Sequence, residues 1–393
     1  MTQSKNKPII SIFIHCFPPA RGGLEYLTGE IKKILDSKYE VHIITGQGLN
    51  LDSYKTFSNF TDNSSNNIHR LELNYFWQRI ANKFLNKIIF KIGFFSPYYF
   101  GPILKYTPEV IDIIKKSDLI IGAGMPTKMF YDSYLFAKKY NKKLICLPAY
   151  HNVSYYNHCY FFQKVFSYAD KILFLTQFEK KQLIKNYLID KSKLVQSTFC
   201  PFTKKQIKTQ QKKLSATIKQ HQNNIKNKQI TLGYIGQITL RKNLYIFKDL
   251  LDAKYQVIFA GAKTNSSSDI EKYFEPYLKS NKLKIIYDFP ESDKKNIYSQ
   301  FDVFINPSIE ESFGIVNIES IFYGLPTFVN RQAAFSEFIN PVYTFTSTSG
   351  LIKSIQNNFF RPNLQYQLFH KLNYDSYKSN LQQILRSIIP TKI

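Results

Sequence analysis

Acidic residues are scarce in this sequence. Against 53 Lys and Arg the 393-residue chain sets 28 Asp and Glu, a net charge of +25, and the stretches 73–108 and 191–248 contain no acid at all. Such an excess attracts phosphates, nucleic acids or anionic lipid, and does not choose among them. The abundance of Lys, Asn, Ile, Tyr and Phe is also what an A+T-rich coding sequence favours. Cysteine is sparse too: Cys16, Cys146, Cys159 and Cys200 lie far apart with no C-x-x-C pair. That excludes a zinc-ribbon or dithiol motif and reads as small buried side chains in a reducing compartment. No uncharged apolar run reaches the ~20 residues of a membrane span. The first apolar run is short, contains His15 and is followed by Pro18-Pro19, so it reads as a buried strand and not as a signal peptide. There is no G-x-S-x-G, no H-E-x-x-H, no D-x-D and no internal repeat. GAGMPTK at Gly122 lacks both the third dinucleotide-fingerprint glycine and the Walker lysine spacing.

What is present is an alternation. Hydrophobic residues make up 44% and charged residues 21% of the chain, enough apolar content for a sizeable core. Short apolar runs at 9–15, 39–45, 118–123, 143–148, 171–175, 230–235, 255–261, 282–287, 302–306 and 326–329 are separated by longer amphipathic segments. Buried parallel strands with crossover helices produce this pattern, and its occurrence in both halves predicts two doubly wound α/β domains. Residues 201–229 are rich in Lys, Gln and Asn with a thin stripe of Ile207, Leu214, Ile218 and Ile225. They are expected to link the domains. Leu381, Ile384, Leu385 and Ile388 at helical spacing predict a C-terminal amphipathic helix.

The segment FDVFINPSIEESFGIVNIESIFYGLPTFVN, 301–330, carries the most chemistry. A buried strand ends at Asn306, a loop brings Glu310 and Glu311, and a helix starts near Phe313-Gly314 with Glu319 inside it. Two carboxylates eight residues apart can both reach a crevice at the strand's C-terminal edge, where open α/β sheets bind ligands. Between them the backbone amides of Gly314, Ile315 and Val316 form a helix N-terminus suited to an anion. The plainer alternative makes Glu311 a cap and Glu319 a solvated helix residue. Upstream, HCFPPARGG sets Gly22-Gly23 in a turn after the first strand. GYIGQITLRKN ends a strand in Gly236 and presents Arg241 and Lys242, as a phosphate clamp requires.

Together these stretches resemble the E-x7-E signature, the P-P-x-x-G-G loop and the G-R-x-x-x-x-K loop of retaining GT-B glycosyltransferases, in particular family 4 (group 1). ADKILFLTQFEKKQLIK from Ala169 is similar to the element that closes that family's N-terminal domain, with Thr176 at a serine position. Two departures stand out: Gln237 occupies the usual arginine position, and Tyr323 a usually small one. The resemblance implies a GT-B fold divided as 1–200 acceptor-side domain, 201–229 linker, 230–373 nucleotide-sugar domain and 374–393 helix packing back on the first domain. It implies transfer of a sugar from a nucleotide diphosphate sugar to the hydroxyl of a glycan, glycolipid or lipid-linked acceptor with retention, without a metal or other cofactor. Glu311 would bind the donor sugar, Glu319 the ribose, and Lys242 with Arg241 the diphosphate. Gly22, Gly23, Gln237, Phe313, Gly314, Ile315 and Val316 would line the donor site. His151, in LPAYHN, would contact the sugar or the transition state, with His158 the competing choice. The alternatives are a degenerate GT-B binding protein, created by the loss of charge at Gln237, and a GT-B epimerase or phosphorylase. No nucleic-acid motif accompanies the charge, so no nucleic-acid partner is expected.

Arg79, Lys83, Lys87 and Lys91 repeat every four residues beside a stripe of Trp77, Ile80, Phe84, Ile88 and Ile92. This reads either as a basic helix lying on an anionic membrane surface, which would make a cytoplasmic protein peripheral to it, or as an ordinary helix packed on its sheet.

Overall fold

The computed structural model describes residues 7–48, 67–80, 102–151, 160–225, 229–264, 266–357 and 362–389. The chain forms two units, Met1–Ser197 with Lys378–Ile393, and Thr198–Tyr377.

In the first unit, strands β1 (Ile9–Phe13), β2 (Glu40–Gly46), β3 (Ile68–Leu71), β4 (Leu119–Ala123), β5 (Lys143–Leu147), β6 (Lys171–Phe174) and β7 (Leu194–Gln196) form one sheet in the order β3-β2-β1-β4-β5-β6-β7. All its pairings are parallel, with Ile10 opposite Val41 on one side and Leu119 on the other. Ile, Leu and Phe fill both faces of the central strands because helices cover both, and β4 is buried at every residue. Thr107 and Thr127 cap the helices Pro108–Lys116 and Lys128–Lys139, accepting from the backbone N–H groups of Val110 and Phe130. Phe130 packs its ring on Phe162 and Phe166 beneath the sheet.

The second unit repeats the plan with β8 (Thr231–Ile235), β9 (Gln256–Gly261), β10 (Leu283–Tyr287), β11 (Val303–Asn306), β12 (Thr327–Asn330) and β13 (Thr344–Phe345), in the order β10-β9-β8-β11-β12-β13. Buried Phe259 gathers Tyr234, Phe247 and Phe274 around it with ring centroids 6.0, 4.9 and 5.6 Å away. In each sheet the strand order reverses beside the first strand of the unit, between β1 and β4 and between β8 and β11.

The polar stretch expected as a linker takes the form of a 22-residue helix, Lys204–Ile225, within the second unit. Ile207 and Leu214 of its thin stripe are buried, and Leu214 packs so closely on Gly324 that a Cβ there would lie 2.3 Å from it. The last helix, Tyr374–Arg386, leaves the second unit and enters the first, where Asn380 donates to the carbonyl of Gln196 at 2.8 Å. Among the described residues no helix is long and apolar enough to cross a membrane.

Candidate functional site

The reversal between β8 and β11 places two loops side by side at the carboxyl ends of their strands, the position at which open α/β sheets bind ligands. After β8 the chain runs through Gly236 and Gln237 into a short turn of 3-10 helix, Leu240–Lys242, closed by Asn243 in the left-handed region. Asn243 donates its side-chain amide to the carbonyl of Pro307 at 3.2 Å, which ties this loop to the one after β11. Gly261, at the end of β9, lies so near Gly236 that a Cβ would come 1.7 Å from the Gly236 oxygen. Only a glycine fits there.

The two adjacent basic residues of the loop are not equivalent. Arg241 is exposed. Lys242 is buried, and its Nζ lies 3.3 Å from Glu311 Oε2. Glu311 is held from behind by Asn306, the last residue of β11, which sequence reasoning had noted only as a strand end. Asn306 Nδ2 donates to Asn317 Oδ1 at 3.0 Å and reaches Glu311 Oε2 at 3.5 Å, while Asn306 Oδ1 accepts from the amide of Ser308 at 3.2 Å. Gly314 enters the helix Ile315–Phe322 with φ +86°, and a Cβ there would meet Asn317 Nδ2 at 2.5 Å. Two side-chain atoms beside this cluster, Ser308 Oγ and Asn317 Nδ2, are buried without a hydrogen-bond partner. Buried groups in that condition cost about 1–3 kcal/mol each until something bonds them.

Glu319 is placed differently. It is buried, and its oxygens accept from Lys294 Nζ at 2.8 Å and Tyr298 Oη at 2.9 Å. Burial alone would lower the pKa of Lys294, but the carboxylates of Glu319 and Glu291 outweigh it and raise that pKa, so Lys294 stays charged. Phe313 packs its ring against Phe335 and Phe338 at 6.0 and 5.7 Å. Ile315 is buried and Val316 half-buried, and Gln237 is half-buried with its carbonyl accepting from Tyr234 Oη at 3.1 Å.

In the first unit, Gly22 is the extended N-cap of the helix Gly23–Leu35. His151 is half-buried beyond β5. The residue before it, Tyr150, is fixed by a group that the motif comparison passed over. Glu179 is fully buried, with one oxygen accepting from the Tyr150 amide at 2.8 Å and the other from the Leu175 amide at 2.7 Å. Thr176 caps the same helix by accepting from the Glu179 amide at 2.9 Å. The T-x-x-E pattern of a capping box was the available signal. Glu179→Gln sets an amide N–H₂ against one of those donors, so it is expected to destabilise the protein by about 1–3 kcal/mol in thermal or urea unfolding. An unchanged midpoint would contradict this bonding.

Arg79 lies on the short helix Tyr75–Ile80, whose first three residues, Tyr75, Phe76 and Trp77, are all exposed. Lys83, Lys87, Lys91 and His158 lie outside the described residues.

Residues 215–354 match the family model described as Glycosyl transferases group 1. No curated protein matches the sequence. Solved structures resemble the whole chain. HepE of Anabaena, crystallised with UDP and glucose, has a TM-score of 0.68 at 12% identity, covering 97% of this chain and 100% of that one. Sucrose-phosphate synthase of Thermosynechococcus elongatus gives 0.67 at 14%, covering 98% and 99%. A glycosyltransferase from Rickettsia africae gives 0.64 at 17%, covering 99% and 100%. The chain therefore has the GT-B fold of two Rossmann-like domains, and the match over residues 215–354 supports a GT-B glycosyltransferase.

Proposed function

We propose that this protein transfers a sugar from a nucleotide diphosphate sugar to an acceptor hydroxyl, on a glycan or lipid-linked carrier, with retention of configuration. The observation that carries the reading is the pairing of Lys242 with Glu311 at the switch point of the second sheet. A cation and a carboxylate in contact, beside a helix N-terminus, offer what a glycosyl diphosphate needs: charge for the leaving diphosphate and an acceptor for sugar hydroxyls. Lys242 takes the first role and Glu311 the second. The amides of Gly314, Ile315 and Val316 supply further donors to phosphate. Ser308 Oγ and Asn317 Nδ2 gain partners when the donor sugar binds.

Sequence reasoning expected Glu319 to hold the ribose. Its carboxylate is buried and bonded to Lys294 and Tyr298, so in this reading it anchors the helix that carries the amides. Arg241, being exposed, contributes less to the diphosphate than Lys242. His151 and the Gly22-Gly23 turn belong to the first unit; by resemblance the histidine serves the sugar and the turn the donor diphosphate. The reaction needs no metal at the diphosphate, since Lys242 and the helix amides supply the positive charge. The exposed aromatic trio Tyr75-Phe76-Trp77 beside Arg79 suits a lipid-linked acceptor at a membrane surface.

HepE was crystallised with UDP-glucose, so UDP-glucose heads a thermal-shift panel of UDP, GDP and ADP sugars. A donor at about 100 times its Kd stabilises the fold by about 2.7 kcal/mol. One nucleotide class should do so, and the product's anomeric configuration by NMR should match the donor's. If no nucleotide sugar shifts the transition or is consumed, the reading fails. Gln237 in place of an arginine favours a second reading, a binding protein without turnover. Stabilisation by a donor that is never consumed would select it.

A further inference from the structure

We propose that His15, Cys16 and Glu25 form a binding site for a single transition-metal ion of the zinc type. The inference concerns the first unit alone and is independent of the proposed reaction. His15 and Cys16 follow β1 at its carboxyl end, where the order of the first sheet reverses between β1 and β4. Glu25 comes from the first turn of the helix Gly23–Leu35. One ligand atom from each of the three lies within 4.8 Å of the others, and His15 Nε2 is 3.3 Å from Glu25 Oε1. Ligands about 2.0–2.3 Å from a tetrahedral zinc stand roughly 3.5 Å apart, so small side-chain adjustments close this set around an ion.

The three groups are shielded from solvent. His15 is 7% and Cys16 0% exposed; the ring turns Nε2 to Glu25, while Nδ1, beside Gly124, is buried with no hydrogen-bond partner. A core histidine kept for packing normally has both ring nitrogens satisfied. Glu25, with its side chain 12% exposed, has His15 as its ion-pair partner, and the imidazole gives it a full counter-charge only when protonated. Two features of the surroundings keep the cluster assembled. A Cβ on Gly22 would lie 2.1 Å from Glu25 Oε2, so the absent side chain is what lets this carboxylate turn back over the helix start. Arg70 donates to the carbonyls of Phe17 and Pro18 and so fixes the turn that follows Cys16.

The donor set selects the ion. Imidazole and thiolate favour zinc or a similar transition metal over magnesium or calcium. Coordination displaces the Cys16 thiol proton to solvent, and one dication with a thiolate, a carboxylate and a neutral imidazole is electrically balanced. Three protein ligands leave a fourth position for water or a ligand oxygen. The pattern escapes a motif search because two ligands are adjacent and the third lies nine residues on, unlike C-x-x-C or H-E-x-x-H.

The test uses the full chain, stripped with a chelator and titrated with Co²⁺ as a spectroscopic probe. One equivalent should bind with a thiolate-to-cobalt charge-transfer band that Zn²⁺ bleaches. Cys16→Ser should abolish the band, and Glu25→Gln should weaken Co²⁺ at least about tenfold, each checked for folding by circular dichroism. If Cys16→Ser fails to fold, Glu25→Gln decides alone. Absence of the band in the wild type, its persistence in Cys16→Ser, or unchanged affinity in Glu25→Gln would each overturn the site.

Discussion

Replacing Glu311 by alanine is expected to abolish sugar transfer and leave the fold in place. The side chain stands on the loop after β11 and is about one-fifth exposed, so its removal opens no core cavity of the kind that unfolds proteins. What it removes is local. Lys242 loses its carboxylate partner while remaining 11% exposed, and Asn306 loses one of the groups it reaches. The stability cost of stranding such a partner is about 1–3 kcal/mol, visible in thermal unfolding but tolerable. The effect on turnover is larger, because an oriented polar group at developing charge is worth about 10²–10³ in kcat. Glu311→Gln separates two contributions: it keeps a hydrogen-bonding group for sugar hydroxyls and discards the charge that holds Lys242. It should therefore retain donor binding in the thermal-shift assay and still lose most turnover. Full activity in Glu311→Ala would remove the central group from the proposed site.

How much of this was readable in advance depended on burial. The central strands declare themselves as apolar runs because helices cover both faces, and the ten runs correspond to β1, β2, β4, β5, β6 and β8 to β12. The three strands that sequence reasoning missed, β3, β7 and β13, are all sheet edges of two to four residues. β3 carries His69 and Arg70, and β7 ends in Gln196, because an edge strand need not be apolar on both faces. The helix Lys204–Ile225 reads as a partly helical linker for the converse reason, that a stripe as thin as Ile207, Leu214, Ile218 and Ile225 predicts a helix in part but not its place within the second unit. The site was legible where its chemistry follows from local spacing, as with Glu311 and the Gly314 helix start. It was not legible where partners come from elsewhere in the chain. Lys242 meets Glu311 only through the parallel pairing of β8 with β11. Lys294 reaches Glu319 across 25 residues, and so an expected ribose ligand is found already bonded.

Lys242→Ala should be the second severe variant, and the comparison with Arg241→Ala gives it meaning. The sequence presents the two cations as a pair that could share the diphosphate and make good the charge missing at Gln237. The structure distinguishes them: Lys242 is buried against Glu311, and its neighbour is exposed. A charge-assisted contact to the leaving diphosphate is worth about 1.5–3 kcal/mol. If felt in the transition state, that is one to two decades of rate. Lys242→Ala should lower kcat/KM by roughly 10- to 100-fold and weaken the nucleoside diphosphate as an inhibitor, whereas Arg241→Ala should change either by no more than about fivefold, the worth of an exposed charge. Lys242→Arg is not expected to rescue, since a planar guanidinium does not fit the space of a buried ammonium. The reverse order of effects would mean that Arg241 carries the diphosphate and that Lys242 serves to hold Glu311. Introducing Gln237→Arg then measures the missing charge directly: added to the Lys242→Ala background, it should recover part of the lost rate only if position 237 reaches the same phosphates.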